Sequence, residues 1–132
     1  LLMQVYDWTR TLGEARGAVR ALTAQRDTIK SELGDAGADS LNARVTRLSG
    51  DVGRAFNAVN GQRAPIEGWS GLPSADQRKS LEFALDDARA ATAELNRLVS
   101  TDIPAAYKAA GKTWSRPVSR VQPPAGGGGA TR

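Results

Sequence analysis

Three runs of apolar residues, spaced alternately three and four apart, constrain this chain more than anything else in it. Val5, Trp8, Leu12, Ala15, Val19, Leu22, Ile29 and Leu33 form the first, with only Arg26 interrupting the seam. Leu41, Val45, Leu48, Val52, Ala55 and Val59 form the second, with Phe56 beside it. Leu81, Ala84, Ala88, Ala91, Leu95 and Leu98 form the third, flanked by Leu85 and Val99. A period near that of the α-helix puts each set on one side of a rod, where it must be covered. Burying a Leu or Val side chain stabilises by ~1.5–3 kcal/mol, so stripes joined by short connections predict helices that cover one another. The expected fold is all-α: an antiparallel three-helix bundle with a short fourth helix and an extended Pro/Gly-rich C-terminal tail. The same spacing also fits an intermolecular coiled coil. Gly13, Gly17, Gly50 and Gly53 disfavour a long isolated rod, and their lack of a side chain would let a neighbouring helix come close.

Local signals place the boundaries. The first helix reads as one element through residue 33, ended by "GDAG" (34–37) with Gly34 as its C-cap. Asp39 or Ser40 caps the start of the second, which Asn60 and Gly61 stop. Ser74 and Gln77 form an S-x-x-Q capping box for the third, and Pro73 discourages helix just before it. "STDIPAAYKAAG" (100–111) reads as a break and a short helix, capped by Thr101 or Asp102, with Pro104 in its first turn and Gly111 at its end. Residues 1–111 then make a helical bundle domain, read as the end of a longer chain. Residues 112–132 make an extended strap, pinned by Trp114 and Val118, and a flexible basic tail.

Charge and composition exclude several functions. The chain carries +4, and residues 112–132 hold Lys112, Arg116, Arg120 and Arg132 with no acid, so the body is neutral. A neutral body does not make a nucleic-acid surface, which needs clustered positive charge. No apolar run approaches the ~20 residues of a transmembrane helix. Cysteine and histidine are both absent, which removes disulfides, thiolate metal sites, the usual general base and the commonest transition-metal ligand.

The remaining motifs fail their chemical requirements. "GWSGLPSADQ" (68–77) sets Ser70 among glycines, but a nucleophile elbow needs G-x-S-x-G between a strand and a helix, and a histidine to activate the hydroxyl. It reads as a turn with Trp69 packed as an anchor. "GKT" (111–113) resembles the end of a phosphate-binding loop, but Ala106 stands where the earlier glycine belongs. Glu82, Asp86, Asp87 and Glu94 read as a solvated helix face, with Arg89 and Arg97 available for local pairs. "GDAGADS" offers calcium only Asp35, Asp39 and Ser40. No catalytic, cofactor-binding or metal-ligating set emerges. Trp8, Trp69 and Trp114 are the candidate interface anchors.

"GWSGLPSADQRKSLEFALDDARAATAELNRLVSTDIPAAYKAAG" (68–111) resembles the C-terminal helical segment of bacterial BNR-repeat, sortilin-like β-propeller proteins, often labelled glycosyl hydrolase-like. The matching elements are the Gly-Trp turn, Pro73 with a polar helix start, "ELNRLV", and Asp102 with Pro104 before a short helix. The resemblance covers residues 61–111 and the earlier helices only by pattern. "YKAAGKTW" (107–114) departs from that family's Asp-box, because Tyr107 and Ala109 replace the serine and aspartate. The resemblance implies an exported, periplasmic or extracellular protein with propeller domains before Leu1, and carries no catalytic residue into this stretch. It leads to the expectation of a non-catalytic interaction or bracing domain. Its partners would be those propellers or another subunit, a second copy in a homo-oligomer included. The alternatives are a glycan-binding accessory module and a free coiled-coil assembly protein.

Overall fold

The computed structural model describes residues 2–63 and 74–124. Helix α1 spans Leu2–Ala24, α2 spans Arg26–Asn60 and α3 spans Ala75–Arg97. A π-helical turn, Leu98–Asp102, leads without a break into α4, Ile103–Ala109. Among the described residues there is no strand, and the fold is all-α.

The three stripes cover one another. One core cluster joins Ala15, Val19 and Leu22 of α1 to Leu41–Val52 of α2 and to Ala91, Leu95 and Leu98 at the end of α3. The other joins Val5, Trp8 and Leu12 to Ala55 and Val59 and to Leu81–Ala88. Residue numbers rise along α1 and α3 while they fall along α2, so α2 runs antiparallel to both. Except for Leu33, which is half-buried, every residue of the three seams is buried. The coiled-coil alternative needs those seams free for another chain, and here they are spent inside one.

The first two helices divide differently from the sequence expectation. Helix α1 stops at Ala24, one residue before a turn at Gln25 (φ −91°, ψ 4°), so the predicted single helix through residue 33 is two pieces. The break falls beside Arg26, the one interruption of the seam. Gln25 is buried, and tertiary hydrogen bonds hold its side chain. Gly34 does end a helical segment, at φ 81° and ψ 165°, a conformation open only to glycine. The next segment resumes at once, so Asp39 and Ser40 lie inside a helix and cap nothing. Asn60 and Gly61 close α2 as the sequence indicates.

The capping box at the start of α3 forms in full: Gln77 N–H donates to Ser74 Oγ at 3.0 Å, and Ser74 N–H to Gln77 Oε1 at 2.8 Å. The expected break after residue 99 does not occur. Pro104 lacks an N–H, and its ring would crowd the carbonyl one turn back; the wider π turn makes that room. Asp102 makes no side-chain cap. Gly111, at φ 71°, ends α4 in a Schellman motif, with Lys112 N–H donating to Tyr107 O and Gly111 N–H to Lys108 O, both at 2.9 Å.

The interior glycines do not mediate close packing. A methyl group built on Gly13, Gly17 or Gly53 meets nothing within 4 Å, and on Gly50 it meets only the Arg54 side chain. These positions face outward.

Candidate docking groove and the strap clamps

The strap is held by two side-chain amides. Gln25 Oε1 accepts from Trp114 Nε1 at 2.9 Å, and Gln25 Nε2 donates to Arg116 O at 2.7 Å. One residue before the end of α3, Asn96 Nδ2 donates to Val121 O at 2.8 Å while Val121 N–H donates to Asn96 Oδ1 at 2.7 Å. Each amide satisfies polar groups that the bundle would otherwise bury unpaired. Trp114 and Val121 enter the same core cluster as Leu95 and Leu98, with Val118 against it. Val118 and Trp114 were legible as pins; Val121 and both amides were not, because neither Gln nor Asn marks a groove by its spacing.

The Trp114 ring also stacks on Tyr107 at 6.3 Å, and the Tyr107 hydroxyl donates to Glu32 Oε1 at 2.6 Å. Burial first, and the Glu32 carboxylate second, push the Tyr107 phenol above its ordinary range. Lys112, the lysine of "GKT", donates to Glu32 O at 2.6 Å, where a cation meets the carbonyl end of a helical segment.

A groove of about 590 Å³ lies between α2 and α3. Arg44, Arg47, Asp51 and Arg54 line it from α2 at three-four spacing, and Asp87, Ala90, Ala91 and Glu94 from α3. Arg44 Nη2 donates to both Glu94 Oε2 at 2.8 Å and Asp102 Oδ2 at 2.6 Å. Those two bonds, Glu94 first, raise the Arg44 pKa further above its already high value. The π turn thus carries Asp102 to a partner on α2. Arg54 pairs with Asp51, and among the described residues Arg47 and Asp87 are in no ion pair, one on each wall of the groove. Of the carboxylates read as a solvated face, Asp86 pairs with Arg89 at 2.9 Å, whereas Glu94 ties helices together as well as meeting Arg97 at 3.9 Å.

The candidate anchors are not brought together. Trp8 is 2% exposed in the cluster at one end of the bundle, and Trp114 is 7% exposed in the other. Their rings secure parts of the chain to each other and offer no open stacking platform. Trp69 and Ser70, with the rest of "GWSGLP", lie outside the described residues. The segment "GDAGADS", too poor in ligands to read as a calcium loop, is helical around Asp39, and Asp35 meets Lys30 at 3.9 Å. Among the described residues no group of three or more acidic side chains is placed to hold a metal, and no helix is long and apolar enough to cross a membrane.

The chain matches no known protein family, no curated protein and no solved structure.

Proposed function

We propose that this chain is a non-catalytic helical interaction domain that braces a larger exported protein of the β-propeller type. The observation that carries the docking part is the α2/α3 groove. Its floor is small and apolar, its walls are set by fixed ion pairs, and Arg47 and Asp87 stand ready for an opposite charge each. Fixed charges of both signs favour one register of a partner and disfavour others. The propeller context and the exported location rest on the resemblance of residues 68–111 alone.

Two experiments test the reading. The polypeptide upstream of Leu1 in the parent gene product should contain propeller repeats; a parent without them overturns the context. Mixed with those repeats, the chain should associate in sedimentation velocity, and the double substitution Arg47→Glu, Asp87→Arg should weaken association at least tenfold without changing helical content. Association unaffected by that charge reversal would remove the groove from the account.

A further inference from the structure

A second cleft, on the α1/α2 side, has a different chemical character. It encloses about 340 Å³ and is lined by Arg16, Val19, Arg20, Thr23, Ser49, Val52 and Gly53. No carboxylate lines it. Arg16 and Arg20 sit one helical turn apart, and among the described residues neither is in an ion pair. Elsewhere on the bundle Arg10, Arg44, Arg54, Arg89 and Arg97 each face an acid.

We infer that this cleft is a binding site for a phosphate or sulfate monoester. Arg16 lies with its guanidinium carbon 4.6 Å from the centre of the Phe56 ring. A cation–π contact consumes no hydrogen-bond acceptor, so the N–H donors of the planar Arg16 fork stay available for an oxyanion. Arg20 supplies a second fork, and the exposed Ser49 hydroxyl, unpartnered among the described residues, supplies a neutral donor. The Thr23 hydroxyl is already committed to Val19 O at 2.9 Å. Val19 and Val52 form a buried apolar floor, and Gly53 leaves the space above it open. At ~30 Å³ per water the cleft displaces on the order of ten waters, more room than a bare tetrahedral anion needs. The oxyanion therefore belongs at the arginines and its organic substituent over the valines.

The test is a titration of the ¹⁵N-labelled chain with inorganic phosphate, inorganic sulfate, phenyl phosphate and phenyl sulfate. The site requires saturable amide shifts at Ser49 and Gly53, stronger for the phenyl esters than for the inorganic ions. Arg20→Gln, which leaves the Arg16–Phe56 contact in place, should weaken ester binding at least tenfold. Gly53→Leu keeps both arginines but fills the cleft, and should abolish the preference for the phenyl esters. Both substitutions are at surface helical positions, and circular dichroism verifies that each variant is folded. The pH dependence separates the two esters. The chain has no histidine, so a rise in phenyl phosphate affinity through about pH 6, where its second proton leaves, identifies a site that prefers the phosphate dianion. Equal, pH-independent affinity for both esters identifies one that takes sulfate equally well. Either supports the site. The absence of saturable shifts with all four probes, or shifts unchanged in Arg20→Gln, overturns it.

Discussion

Asn96 binds the backbone of Val121 as a neighbouring β-strand would, giving one hydrogen bond at 2.8 Å and taking one at 2.7 Å. This pair seats Val121 in the core beside the end of α3. Asn96→Ala leaves a carbonyl and an N–H without partners at ~0.5–1.5 kcal/mol each, so a loss of ~1–3 kcal/mol is expected in urea unfolding. Asn96→Asp keeps the acceptor and loses the donor, and should fall between. Hydrogen exchange gives the local readout: the Val121 amide should lose protection in Asn96→Ala while Leu95 keeps its own. An unchanged Val121 amide would mean that apolar burial alone holds the strap.

The glycines divide into two groups with opposite expected responses. Gly17 is helical and outward-facing, with nothing near a new methyl group. Gly17→Ala should therefore stabilise by up to ~1 kcal/mol through helix propensity. Gly34 also has open space around it, but its backbone angles are closed to other residues. Gly34→Ala should destabilise by ~1–3 kcal/mol. Thermal unfolding of the two variants side by side separates conformation from packing, since neither substitution meets a steric obstacle.

The contrast between the seams and the clamps shows what could be read from sequence. Val5 through Val59 and Leu81 through Val99 were legible because burial on a helix repeats, and repetition is visible without coordinates. The Ser74–Gln77 box and the Gly111 stop were legible because their partners lie within four residues. Gln25, Asn96 and Arg44 were not. Their partners are 91, 25 and 50–58 residues away, and single polar residues carry no period. The turn at Gln25 illustrates the difference: Arg26 marked a gap in the seam, but the buried amide that occupies the turn answers to Trp114 and Arg116 across the fold. The π turn was hidden for a related reason, since Pro104 announces a perturbed helix without saying whether it breaks or widens.

Tyr107 makes the stability of the fold sensitive to alkali. Its phenol is raised in the folded chain by burial and by Glu32, whereas in the unfolded chain it ionises near pH ~10. Above that pH the unfolded state has released a proton that the folded state still holds, so stability falls as pH rises. The contribution is fully present below about pH 10 and declines from there through the folded-state value. The urea midpoint should hold steady from about pH 7 to 9.5 and then drop. Tyr107→Phe should cost ~1–2 kcal/mol at neutral pH and flatten the alkaline limb; a limb of equal steepness in that variant would assign it to other groups.

Arg44 joins α2 to both α3 and the π turn, through Glu94 and Asp102. Its replacement removes two charge-assisted bonds and leaves two carboxylates facing each other. The three side chains are between a quarter and two-fifths exposed, so water screens the triad and its effect belongs at the lower end for charged hydrogen bonds, ~1–2 kcal/mol for Arg44→Gln. Salt decides whether that loss is electrostatic. At about 1 M NaCl the Debye length falls to ~3 Å, and the difference between wild type and Arg44→Gln should shrink by roughly half or more. Asp102→Asn should produce a smaller loss with the same salt dependence, because Glu94 still holds the guanidinium. A gap that persists unchanged in high salt would mean that Arg44 acts by covering Leu48 and Ala91 with its aliphatic stem, and Arg44→Met would then restore most of the lost stability.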